Sequence, residues 1–303
     1  MKKGRYFLLL IGILSSCGNV NVSSSNGNGE SAGPDSPSVT PSSPSSEIID
    51  SKESSTITIE NEVETWKILE DTIYETSVYK FTSNVPGPRC AIVGGIHGDE
   101  VAGWKAALLL KEKRDFVGEV LIIPQASILA CKREERYPGR GAEVNGIIYK
   151  DLNRNFPGSP DGNITKQIAY AISETVKGFN PDVIVDLHES LRSSSSSYYD
   201  SDTSSRLGDL LIYGNSWTSL FTQMIIEEYN PTYLQEDDYP FGTDTFAPGG
   251  SFNQYFGGLY EDKIVITIET TRYFNTDKPK NEDRRIQQQL ELLDLILKYS
   301  VTY

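Results

Sequence analysis

Residues 90–100 read Cys90-Ala91-Ile92-Val93-Gly94-Gly95-Ile96-His97-Gly98-Asp99-Glu100. The compact apolar run from Cys90 to Gly94, closed by glycine, predicts a buried strand. Residues 99 to 113 then place apolar side chains at helical spacing behind an acidic start, which predicts a helix after a tight turn. The same alternation continues down the chain. Strands are expected at 120–124, 183–187, 210–213 and 264–268, and helices at 165–176, 217–229 and 282–299. Strands that alternate with helices imply a mostly parallel or mixed sheet covered on both faces. Shorter alternating runs at 56–59 and 72–81 read as antiparallel edge strands ahead of the main fold. In such sheets ligands bind beyond the carboxyl ends of strands, where strand order reverses. The motifs that carry chemistry all fall at such ends.

The N-terminus has a different character. Lys2, Lys3 and Arg5 precede an apolar run from Tyr6 to Leu14, followed by Ser15, Ser16 and Cys17. This is the layout of an export signal, with an apolar run far short of the ~20 residues that span a bilayer. Leu14-Ser15-Ser16-Cys17 resembles the bacterial lipobox, so residues 1–16 are expected to be a signal peptide and Cys17 a lipidated mature N-terminus. Residues 21–55 hold thirteen Ser and four Pro with no aromatic residue. Such a stretch cannot bury enough apolar surface to offset its ordering entropy, so residues 17–55 are expected to be a disordered tether. As a flexible coil it would span ~35 Å, enough to hold a catalytic domain at 56–303 clear of lipid headgroups. The expected location is extracytoplasmic, with a membrane as partner through the lipid.

The formal net charge of −14 divides into +3 for residues 1–20, −4 for 21–55 and −13 for the rest. An acidic domain repels nucleic acid, and an anionic substrate must be captured by locally placed arginines. Beyond Cys17 there are two cysteines, Cys90 and Cys131, which exported chemistry allows to pair and apolar surroundings allow to stay as buried thiols.

The chain has only two histidines, His97 and His188. Each lies just past an apolar strand, beside a carboxylate. His97-x-x-Glu100 puts two ligands on one side of a turn, and Asp186-Leu187-His188-Glu189 supplies a third from another strand. Two His and one Glu leave an open fourth position, the pattern of catalytic zinc. The same donors also accept cobalt or manganese. Asp151-Leu152-Asn153-Arg154 combines an acid, an amide and a guanidinium. Arg154 offers a fork for a carboxylate, and Asn153 adds a donor. Asp151 can accept the second N–H of a ligating imidazole and fix its tautomer. Glu269 ends the apolar run Ile264-Val265-Ile266-Thr267-Ile268, where a carboxylate is costly unless it has a partner or a task; near a metal it is placed to act as general base.

Taken in order, His97-x-x-Glu100, Asp151-Leu152-Asn153-Arg154, His188 and Glu269 resemble the zinc carboxypeptidase (carboxypeptidase A) superfamily over residues 90 to 275. Pro124-Gln125-Ala126 followed by Arg136, and Asp-Leu-His-Glu-Ser around His188, look like its succinylglutamate desuccinylase/aspartoacylase-like branch. The resemblance implies an α/β fold, a three-layer αβα sandwich with a mixed, mostly parallel central sheet, and one Zn2+ per chain held by His97, Glu100 and His188. It further implies water attack promoted by Glu269, a substrate carboxylate on Asn153 and Arg154, and a carbonyl polarised by Arg136, with Arg133 and Arg140 as neighbouring candidates. One departure stands out. Peptidase members carry a Tyr shortly before a Gly-Gly-Ser segment, whereas Gly249-Gly250-Ser251 follows Thr245 and Phe246, and Tyr239, Tyr255 and Tyr260 do not match that place.

Three functions fit. The first is a metallocarboxypeptidase-like peptidase that cleaves an amide next to a free carboxylate in extracytoplasmic peptides, cell-wall peptides among them. The second is an N-acyl amino acid deacylase of the succinylglutamate desuccinylase/aspartoacylase type. The third is a carboxylate-binding lipoprotein without catalysis, against which the acid at position 269 argues.

Overall fold

A computed structural model describes residues 58–139, 143–144, 147–148, 150–192, 208–245, 247–273 and 279–303. The export signal, Cys17, the Ser/Pro-rich stretch, Arg140, the serine run at 193–197 and Phe246 lie outside them. In chain order the elements are β1 (Asn61–Ile68), β2 (Thr76–Ser83), β3 (Arg89–Gly94), α1 (Val101–Leu110), β4 (Glu119–Ile123) and α2 (Ile128–Arg133). The short pair β5 (Glu143–Val144) and β6 (Ile147–Ile148) precedes a 3-10 turn at Leu152–Arg154. There follow α3 (Ile164–Phe179), β7 (Val183–Arg192), β8 (Leu210–Tyr213), α4 (Ser216–Tyr233), β9 (Gly242–Asp244), α5 (Phe252–Leu259), β10 (Ile264–Tyr273) and α6 (Glu282–Ser300).

Eight strands form one sheet in the order β1-β2-β4-β3-β7-β10-β8-β9. The centre is parallel: β3 pairs with β4 and β7, and β7 with β10. Antiparallel pairing enters at β1/β2, β2/β4 and β10/β8, so the sheet is mixed. Period-2 alternation assigns each strand residue to one of two cores. Ile92, Val183, Val185, Leu187, Ile266 and Ile268 face α1, α4 and α6. Ala91, Val93, Ile184 and Val265 face α3 and α5. The result is the expected αβα sandwich.

Local chemistry explains the element ends. Asn163 caps α3 by accepting from Lys166 N, an arrangement typically worth ~1 kcal/mol. Asn180 ends the same helix in the left-handed region. The connection from β3 to β4 runs through α1 on one side of the sheet, while β7 lies on the other flank of β3. Strand order therefore reverses beside β3, and the carboxyl ends of β3, β7 and β10 open onto a common crevice. Among the described residues no helix is long and apolar enough to cross a membrane. Cys90 and Cys131 are both free and buried; the first lies 3.8 Å from Ser300 Oγ, and the second donates to the Gly95 carbonyl at 3.6 Å.

Candidate metal centre

At the end of β3 the chain turns sharply at Gly95, with φ +74°, and passes so close to α2 that a Cβ on Gly98 would lie 2.0 Å from the Ala130 carbonyl carbon. This tight passage delivers His97 and Glu100 to the crevice. On β7, Asp186 and His188 project from the same face two residues apart, and Glu269 on β10 is in register with His188.

His97, Glu100 and His188 are all buried, and one ligand atom of each lies within 4.8 Å of the others. His97 Nδ1 stands 2.7 Å from Glu100 Oε1, and His188 Nδ1 stands 2.6 Å from Glu100 Oε2. The opposite nitrogens point outward to acids: His97 Nε2 to Asp151 Oδ1 at 2.8 Å, and His188 Nε2 to Asp186 Oδ2 at 2.8 Å. Each imidazole thus turns Nδ1 inward and is oriented by a carboxylate on Nε2, the arrangement that prepares a histidine for metal ligation. Burial opposes ionisation of Glu100, yet the two imidazoles hold its carboxyl well below the usual range. Burial likewise opposes a charge on His188, but Asp186 and Glu100 raise it well above the ordinary histidine value. Two imidazole nitrogens and a carboxylate turned toward one another are a donor set that fits Zn2+.

Glu269 has a different environment. It is 6% exposed, and its Oε2 finds no hydrogen-bond partner among the described residues. Burial pushes its carboxyl up to about 8, with His188 opposing and Glu100 and Asp186 reinforcing the shift. A buried acid whose Oε2 has no partner among the described residues, beside a metal-ligand cluster, is a candidate proton-transfer group.

Arg136 reaches the rim of the centre, with Nη1 3.0 Å from Glu100 Oε1 and Nη2 3.3 Å from Asp151 Oδ2. Arg133 instead donates to the Pro138 carbonyl. The 3-10 turn carries Asn153 and Arg154. The Phe252 amide at the start of α5 donates to Asn153 Oδ1 at 2.8 Å, which leaves the Asn153 NH2 toward His188, 3.5 Å from its Nε2. Arg154 is exposed, and its guanidinium donates to the Asn153 carbonyl. The Gly249-Gly250-Ser251 segment docks on this turn through Phe156 N, which donates to Gly250 O at 2.9 Å. Tyr255 meets Phe256 edge-on, and Tyr260 stacks on it.

Of the candidate site residues, Arg140 and Cys17 lie outside the described residues, and His97, Glu100, Asp151, His188, Glu269 and Arg136 lie together. Two participants carried no assigned role: Asp186, which orients His188, and the Phe252 amide, which orients Asn153. The Asp-x-His spacing on a strand signals the first. A backbone amide 99 residues away leaves no signal.

Residues 86–207 match the model of the succinylglutamate desuccinylase/aspartoacylase catalytic domain. Over 105 residues the chain is 34% identical to the N-alpha-acetyl-L-2,4-diaminobutyric acid deacetylase of Halomonas elongata, a match covering 34% of this chain and 28% of that protein. The fold is similar to that of a succinylglutamate desuccinylase from Silicibacter sp. TM1040, at 19% identity and TM-score 0.54 over 79% of this chain and 67% of the other. It is also similar to a product-bound cell shape determinant protein from Helicobacter pylori, at 17% identity and TM-score 0.57 over 78% and 54% of the two chains. Carboxypeptidase A from Helicoverpa armigera shares it at 12% identity and TM-score 0.57 over 80% and 69%. Residues 86–207 are thus similar to the succinylglutamate desuccinylase/aspartoacylase catalytic domain, and the chain shares the carboxypeptidase-like fold.

Proposed function

We propose that the domain is a zinc-dependent amide hydrolase, and that it removes a small acyl group from an N-acyl amino acid. The observation that carries the hydrolase reading is the convergence of two inward Nδ1 atoms on Glu100, each imidazole backed by its own carboxylate, with buried Glu269 in register beside them. Zinc, when bound, supplies a Lewis acid that polarises an oxygen and makes water acidic near pH 7. The chain does the rest. Glu269 Oε2 takes a proton from the attacking water and returns it to the leaving nitrogen. Arg136 stays charged beside Glu100 and Asp151 and stabilises negative charge on the carbonyl oxygen. The directed Asn153 NH2 and the exposed Arg154 fork hold the substrate carboxylate.

The choice of an acyl group over a peptide rests on the family model and on the deacetylase relative. Metal analysis tests the centre first. About one zinc per chain in the wild type, lost in His97→Ala and His188→Ala, is the expected result; a metal-free wild type after reconstitution would end the hydrolase reading. Profiling then separates substrates. Cleavage of N-acetyl or N-succinyl amino acids, with little release from peptides, supports the deacylase.

A second reading, hydrolysis of extracytoplasmic peptides, is favoured by the leader-like N-terminus ending in Leu14-Ser15-Ser16-Cys17. Peptide cleavage without N-acyl amino acid cleavage would select it. In either reading we propose that Cys17 is acylated and tethers the domain outside the cytoplasm. Incorporation of labelled fatty acid, abolished by Cys17→Ser, is the outcome this requires.

A further inference from the structure

Glu100 is the N-cap residue of α1, and its side chain makes no capping bond because it faces the imidazoles. A helix start leaves several amides without intrahelical partners, so α1 needs an acceptor from elsewhere. Glu189 supplies it: the Ala102 amide donates to Glu189 Oε2 at 2.9 Å. The exchange is reciprocal, since the Glu189 amide donates to Glu100 Oε2 at 3.0 Å. Two glutamates, one opening α1 and one on β7, thus hold each other's segment through backbone amides. Gly103 shows how closely the segments approach, because a Cβ there would lie 2.7 Å from the Leu187 carbonyl oxygen. Arg285 on α6 stands 3.0 Å from Glu189 Oε1 and neutralises the buried acid.

We propose that Glu189 is a positioning residue for the metal: it takes over the cap that Glu100 cannot provide, and so frees and aims the Glu100 carboxylate as a ligand. This rests on the metal reading of the centre. Glu189 lies on the face of β7 opposite His188, its side chain engages the Ala102 amide and Arg285, and it acts through the placement of Glu100.

The test is zinc affinity of the full chain by chelator competition, with the melting temperature of the metal-free protein measured in parallel. Glu189→Met fills the volume without an acceptor and should weaken zinc binding about 10–100-fold, as loss of a ligand-orienting partner does. Glu189→Gln retains an acceptor for the Ala102 amide and should recover most of that loss. Gly103→Ala, which must push α1 off β7, should weaken zinc in the same direction and carries the test if the Met variant does not fold. Zinc affinity unchanged in Glu189→Met, with only a lower metal-free melting temperature, would overturn the proposal and leave Glu189 a purely structural residue. So would equal losses in the Gln and Met variants. A wild type that binds no zinc would overturn both this inference and the metal reading, whereas a wild type that binds it isolates the role of Glu189.

Discussion

Replacing Glu269 by Gln should slow the proposed hydrolysis and steady the metal-free fold. Burial pushes the Glu269 carboxyl from its ordinary 4.5 up to about 8. Below pH 4.5 the acid is protonated in folded and unfolded chains alike and has no effect on their balance. Between 4.5 and 8 the unfolded chain releases the proton while the folded chain keeps it, so stability falls as pH rises, by about 1.4 kcal/mol per unit. At pH 7 the penalty is roughly 3 kcal/mol, and Gln, isosteric and uncharged, removes it. In a domain of this size that corresponds to roughly 6–12 °C in melting temperature. Circular dichroism melts of chelator-treated wild type and Glu269→Gln at pH 4.5 and pH 7 measure the difference. The curves should nearly coincide at the lower pH and separate at the higher, with the variant above. Turnover of the zinc-loaded protein should fall about 10²–10⁴-fold, the usual contribution of a general base. A variant that melts below the wild type at pH 7, or whose separation does not depend on pH, would refute the account of Glu269 as an acid held against its own burial.

Other outcomes follow from the same geometry. Arg136→Ala should lower kcat about 10²–10³-fold, the cost of losing one oxyanion donor, and an unchanged kcat would remove Arg136 from that role. Gly98→Ala should destabilise the domain and lose metal together, since its Cβ would meet the α2 backbone at 2.0 Å; metal content and a melt on one preparation check this. Cys90 and Cys131, both pushed up to about 12 by burial, should resist alkylation at pH 8 in the native protein and react once urea unfolds it. Rapid native labelling of either would contradict their placement.

The central fold was legible because its strands are buried on both faces and read as apolar runs: Cys90 to Gly94 and Ile264 to Ile268 lie within β3 and β10. Of the strand expected at 56–59, residues 56–57 lie outside the described residues and 58–59 carry no strand, while β1 runs over Asn61–Ile68. That segment is polar and exposed on both faces, and its strand state comes from pairing with β2 rather than from its own pattern. β7 and β10 run past the expected ends, through His188 and Glu269, since polar residues at a strand's carboxyl end look like loop. α2 and α5 were missed because helices of 6 and 8 residues are too short for periodicity to mark. At the site, chemistry was legible where a residue type is rare, as with two histidines in 303 residues. The supporting contacts were not, because they join backbone amides to side chains far apart in sequence.

The ribbon of β1 and β2 has a consequence for how copies of the protein meet. β2 joins β4 only through Tyr79 to Thr82, while β1 and β2 pair over eight residues each, so the ribbon overhangs the sheet. β1 is one of the two edge strands among the described residues, β9 being the other, and a bare edge of that length invites a second chain to add to it. Glu62, Glu64 and Lys67 place charges along it, with Glu64 and Lys67 engaged by Lys80 and Glu75 of its partner strand and its preceding turn. Stacking another strand there would bury those charges and bring two acidic domains together. The charges along β1 therefore oppose the strand addition that its exposed edge would otherwise allow.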